Sequence, residues 1–261
     1  MSEVKILADD EEVGNYAARL IFDEIVKTAH EKKPFVLGCP GGRTPRSTYK
    51  ALARMVKENQ LDISHVKIVM MDEYLIENSD GTLSNCDPSA HYSCAGFAKN
   101  EIWEILNSGV PVTSQIDLHN VFHPDAQNPD LYEEFLKNNR VNIFLMATGG
   151  SDGHVAFNPP GTPREARTRI AKLADETRQD NLGTFPDFKN IDEVPRFGVT
   201  VGPATMVDYS ELVIMEIIGS HKHLAFEHIT SAKSYQSDWP STIVRDCTNY
   251  LILADVDAAE G

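Results

Sequence analysis

Short apolar runs alternate with longer amphipathic stretches along most of this chain. Residues 11–30 place Val13, Tyr16, Ala17, Leu20, Ile21 and Ile25 at helical spacing with charges between them, which predicts a helix with one buried stripe. Phe35-Val36-Leu37-Gly38 then reads as a strand closed by a glycine-rich turn. Thr44-Pro45 predicts the start of the next helix, since proline is tolerated in a first turn, and Tyr49, Leu52 and Met55 fall on its inward side. Val66 to Met71 reads as a strand, 91–106 as a helix and 141–147 as a strand buried on both faces. A mixed region covers 164–194, followed by strands near 197–201 and 211–218, a helix near 221–231 and a strand at 249–254.

This alternation predicts an α/β fold: a Rossmann-like, largely parallel sheet with helices on both faces and binding loops after the strands. Residues 179–194, polar and broken by Gly183 and Pro186, lie between predicted core strands and read as a lid. A chain of 261 residues can bury a large core, and a single domain over 1–261 is the expectation. With 24 basic and 39 acidic residues the formal charge is −15, which speaks against nucleic-acid or anionic-membrane surfaces but leaves room for a local basic pocket. Cys39, Cys86, Cys94 and Cys247 have no paired metal-type spacing, and neither a secretory signal nor a membrane-length apolar run is visible. A reduced, cytoplasmic protein is expected, with no membrane partner and a homo-oligomer left open.

Three loops carry candidate chemistry. Gly149-Gly150-Ser151-Asp152-Gly153-His154 follows the 141–147 strand, so the backbone turns sharply and aims Asp152 and His154 together at the sheet edge. Asp152 as a turn cap and His154 as a structural histidine is the competing reading. Cys39-Pro40-Gly41-Gly42-Arg43-Thr44-Pro45 opens a helix and offers amides, a hydroxyl and a guanidinium to an anion, or else is a tight turn with a solvated arginine. Its spacing matches neither a Walker loop nor a dinucleotide fingerprint, so neither ATP nor NAD follows. Asp72 and Glu73 end the 66–71 run; one is a candidate buried base, or Asp72 caps a helix and Glu73 pairs with a surface cation. Arg178 and Lys222 are further candidate anion-binding cations, each also readable as a solvated surface residue.

Together these pieces resemble the glucosamine-6-phosphate deaminase and 6-phosphogluconolactonase superfamily along nearly the whole chain. The matching segments are Gly41-Gly42-Arg43-Thr44-Pro45 with Thr48-Tyr49-Lys50, Met71-Asp72-Glu73-Tyr74, and Gly150 to Asn158. Further matches are Ala166 to Ile170, Glu176-Thr177-Arg178, Thr200-Val201-Gly202 and Gly219-Ser220-His221-Lys222. Asp-Glu-Tyr and the His-Val-Ala-Phe-Asn continuation look like the deaminase branch; the Gly-Gly-Arg-Thr-Pro glycines resemble the lactonase loop, and Arg43 departs from both.

The resemblance implies that Gly41, Gly42, Arg43, Thr44, Arg178 and Lys222 hold a sugar phosphate, that Asp152 and His154 open the sugar ring, and that Asp72 shuttles a proton between the second and first carbons. It implies neither a metal nor a redox cofactor. One departure stands out: Pro159 occupies the place of the deaminase glutamate and has no titratable group. Glu73 and Glu165 are the nearest replacements in sequence. A deaminating isomerase is the leading expectation; a lactonase and a non-catalytic sugar-phosphate sensor are the alternatives.

Overall fold

The computed structural model describes residues 2–261. In chain order the elements are β1 (Ser2–Leu7), α1 (Asp10–Glu31), β2 (Phe35–Cys39), α2 (Arg46–Asn59), β3 (Val66–Met70), β4 (Asp72–Glu77) and β5 (Leu83–Asn85). A continuous helical run follows: α3 (Cys94–Phe97), a wider π-helical stretch (Ala98–Trp103) and α4 (Glu104–Asn107). Then come β6 (Val121–Phe122), α5 (Pro129–Asn138), β7 (Val141–Ala147), β8 (Arg169–Lys172), α6 (Asp175–Thr184), β9 (Phe197–Thr200), α7 (Pro203–Tyr209) and β10 (Ser210–Ile217). The 3-10 turn Ser220–Lys222, α8 (His223–Ser231), the 3-10 segment Pro240–Asp246, β11 (Tyr250–Asp255) and α9 (Val256–Glu260) complete it. Among the described residues no helix is long and apolar enough to cross a membrane.

Seven parallel strands form the main sheet in the order β1-β11-β10-β7-β2-β3-β6. The strands of its middle are buried on both faces. On β7, Ile143 and Leu145 enter the core beneath α1 and α2, while Val141, Phe144 and Met146 enter the core beneath α5, α7 and α8. The unbroken apolar run is thus the signature of a strand covered on both sides. β2 and β7 are neighbours in this sheet, and the loops that follow both of them line a crevice at its carboxyl edge.

A second, antiparallel sheet, β5-β4-β9-β8, adjoins the first, and sequence patterning does not predict it. The chain runs from β3 through Met71 directly into β4, so Asp72 begins a strand and caps no helix. Of the expected lid, residues 179–184 belong to α6, and a 3-10 turn (Ile191–Glu193) lies near its end.

Beneath the loop after β2, Glu216 of β10 is 1% exposed and accepts a 2.6 Å hydrogen bond from the Thr48 hydroxyl of α2. Its second oxygen is buried with no partner. Burial pushes this carboxyl up to about 8, with the Thr48 bond pulling the other way. The folded chain therefore keeps a proton that the unfolded chain releases near the ordinary value of 4.5, so the associated stability is full below that pH and is lost as pH rises through about 8. Glu216→Gln, which cannot ionise, is expected to melt higher than the parent at pH 8.5 by on the order of 5 °C and to have a flatter pH profile. Thermal melts from pH 5 to 9 check this; parallel profiles would refute it.

Candidate active site

The crevice is a cleft of about 1310 Å³ whose walls come from the loops after β2 and β7, from α2, α3 and α6, and from the turn before α8. Gly41, Gly42, Arg43, Thr44, Asp72, His154 and Lys222 all line it. The structure thus brings together the anion loop, the candidate base and the candidate histidine.

Asp72 is 5% exposed at the point where the two sheets meet. Burial pushes its carboxyl up to about 7, the Cys94 thiol pulls it back, and the charge of Glu73 adds to the rise. A carboxylate in that range exchanges protons efficiently near neutral pH. Glu73 does something different. It is 1% exposed and pairs with no surface cation; instead it accepts from Tyr74 N, Cys94 N and Ala95 N, each at 2.8 Å, and from the Ser93 hydroxyl at 3.0 Å. It clamps the start of α3 against the cleft.

The Asp152–His154 loop combines both readings its sequence allows. Asp152 Oδ1 accepts from His154 N at 3.1 Å, a turn-capping bond, and also meets His154 Nδ1 at 2.7 Å. That contact places the ring proton on Nδ1 and leaves Nε2 as the basic nitrogen. Burial opposes ionisation of Asp152, but the bond and charge of His154 outweigh it, and the carboxyl lies below its ordinary value. The Thr177 hydroxyl of α6 stands 3.3 Å from Nδ1 as a third neighbour.

Two glycines make this arrangement possible. A Cβ on Gly149 would lie 2.2 Å from Asp152 Oδ1 and 2.3 Å from His154 Nδ1. Gly153 has φ +65°, and a Cβ there would strike the Trp239 ring at 2.3 Å; that ring stacks on His228 at 3.9 Å. Beyond His154, Asn158 donates to the Val155 and Val201 carbonyls, and Phe157 N donates to the Thr200 hydroxyl, tying the loop to β9.

The cationic end is built by Arg43 and Lys222. Lys222 Nζ donates to the Thr148 carbonyl, and burial lowers the ammonium's proton affinity while Asp180 and Asp152 support it. Its turn is fixed by Asp255, whose two carboxylate oxygens accept from Gly219 N at 2.9 and 3.0 Å. α2 begins without a side-chain cap; Arg46 N donates to the Arg43 carbonyl, and the Ser47 and Thr48 amides of the first turn are the ones an anion can take.

Arg178 does not join them. Its guanidinium donates to the Val194 and Ile191 carbonyls and to Asp175, and it does not line the cleft. In this arrangement it staples α6 to the 191–194 turn.

Pro159 also lies outside the lining, its carbonyl accepting from Thr162 in a turn. Neither sequence-nearest glutamate stands in for the missing acid, since Glu73 clamps α3 and Glu165 is exposed away from the cleft. Sequence reasoning missed Cys94, Asp180 and His221 of the lining. Only His221 lay within a recognised motif; Cys94 and Asp180 carry no sequence signal for the cleft.

Residues 8–253 match the family model of glucosamine-6-phosphate isomerases/6-phosphogluconolactonase. A monomeric glucosamine-6-phosphate deaminase superposes with TM-score 0.84 and 24% identity, covering 100% of this chain and 99% of its own. The 6-phosphogluconolactonase from Leishmania guyanensis gives 0.72 and 19%, covering 100% and 98%, and that from Trypanosoma brucei 0.69 and 18%, covering 100% and 98%. Structural likeness at these identities is likeness of fold. The family match over most of the length carries the assignment: the chain belongs to the glucosamine-6-phosphate isomerase/6-phosphogluconolactonase family of sugar-phosphate enzymes.

Proposed function

We propose that the cleft converts a 2-amino-2-deoxyaldose 6-phosphate, of the glucosamine 6-phosphate type, into a ketose phosphate and ammonia. The carrying observation is Asp72: a buried carboxyl with a proton affinity near neutrality, in the same cleft as an Asp–His pair and an anion loop. Abstraction of a carbon-bound proton needs such a base, whereas lactone hydrolysis does not.

In this reading Gly41, Gly42, Arg43, Thr44 and Lys222 hold the phosphate. His154, its tautomer set by Asp152, relays the proton that opens the ring, with the Thr177 hydroxyl beside it. Asp72 removes the proton from the second carbon and returns it to the first, leaving an iminium at the second. Water adds there, ammonia departs, and the ketose phosphate remains. Donors at the cleft edge stabilise the enol-like charge.

One observation favours the lactonase alternative. His154 Nε2 lies outside the contact by which Asp152 holds the ring and is the nitrogen placed to activate water, and Pro159 withholds the third acid.

Solvent deuterium separates the readings. Turnover of a panel of 2-amino-sugar phosphates in D2O is expected to release ammonia and place deuterium on the first carbon of the product, and Asp72→Asn is expected to lower kcat by at least about 10²-fold. Lactone loss without carbon-bound deuterium would instead establish hydrolysis. Thermal stabilisation by sugar phosphates with no turnover in either panel would establish a sensor.

The phosphate assignment has its own test. Inorganic phosphate is expected to raise the melting temperature, and Arg43→Ala and Lys222→Ala are each expected to weaken its apparent affinity about tenfold. Arg178→Ala is expected to lower the starting melting temperature while keeping the phosphate response. A response lost only in Arg178→Ala would reverse the assignment.

A further inference from the structure

We propose that Cys94 is a positioning residue, whose thiol holds one oxygen of Asp72 so that the other is presented to the substrate. The proposal rests on the reading of Asp72 as the base. Cys94 Sγ lies 3.3 Å from Asp72 Oδ1, and among the described residues it is the one side chain hydrogen-bonded to that carboxylate. It is 5% exposed and lines the cleft.

The thiol is fixed from several sides. Glu73 takes the amides of Cys94 and Ala95 and the hydroxyl of Ser93, and the Ser93 hydroxyl in turn caps Gly96 N at 3.1 Å. Across the cleft, a Cβ on Gly41 would lie 3.3 Å from Sγ, so the anion loop already packs against the sulfur. Adjacent carboxylates thus divide the work: Glu73 holds the helix start, and the helix start holds Asp72.

A thiol suits this place chemically. Burial, with the charges of Asp72 and Glu73 behind it, raises the Cys94 proton affinity well above the ordinary value, so the group stays a donor and forms no nucleophilic thiolate. S–H is a weak donor: it orients the carboxylate without stabilising the anion so strongly that basicity is lost. The groups that face Asp72 are Glu73 and Tyr74 on its own strand, Cys94 on α3 and Tyr132 on α5. None is a cation, so Cys94 is the counterweight to burial.

The test is a pH titration of the full-length protein labelled with ¹³Cγ-aspartate, the Asp72 resonance being assigned by its loss in Asp72→Asn. Cys94→Ala removes the donor and is expected to move the Asp72 midpoint up by about half a unit or more; Cys94→Ser supplies a stronger donor and is expected to move it down. The acid limb of kcat/KM is expected to follow in the same directions, about threefold in rate per half unit below the midpoint. Midpoints that stay put in both variants, or move the same way, would overturn the role of Cys94 whatever the turnover. Full turnover by Asp72→Asn would overturn the base assignment and leave the titration readable. Should Cys94→Ala fail to fold, the downward shift in Cys94→Ser decides alone.

Discussion

The backbone of Met71 joins the two halves of this molecule. Its N–H donates to Cys39 at the end of β2, and its carbonyl accepts from Val201 just past β9, at 3.0 and 2.8 Å. One residue thereby ends a parallel sheet and opens an antiparallel one, with both of its polar groups satisfied away from water. The next residue, Asp72, must lie in the seam, where little solvent reaches it. Its raised proton affinity is therefore a consequence of chain path, and the same path delivers Glu73 to the start of α3.

Electrostatics in this protein is organised by burial more than by ion pairs. The chain carries a formal charge of −15, and most of its salt bridges have exposed partners, which contribute little each. Inside, Asp72 and Glu216 are carboxyls held in apolar surroundings, each with a single neutral side-chain donor. Lys222 is a half-buried ammonium drawn in the opposite direction. Three groups that titrate away from their ordinary values thus lie on or just beneath the carboxyl edge of the sheet, the usual location of ligand sites in such folds.

Much of the main sheet was legible because its strands are apolar runs between turn residues. β2, β7 and β10 fall within a residue or so of their expected bounds. β1 escaped because Glu3 and Lys5 interrupt it at an exposed sheet edge. β4 escaped because it opens with two carboxylates that in isolation resemble a loop, and their burial depends on β9, far along the chain. The loops bearing Gly41, Asp152 and Lys222 were legible as motifs. The downstream partners of Arg178 were not, since they are backbone carbonyls 13 and 16 residues on, which leave no side-chain signature.

Two of the helices that wall the cleft are unequal. α2 buries Thr48, Tyr49, Ala51, Leu52 and Val56, whereas α6 buries only Thr177 and Arg178. What keeps α6 in place is the guanidinium staple and, just past its end, Phe185 and Phe188, which pack with Tyr74, His91 and Tyr92. Moving that wall therefore separates aromatic surface as well as polar contacts, and carries a heat-capacity change of its own. Access to the cleft is thus tied to the aromatic contacts at its rim, which weaken on cooling as the core beneath them does.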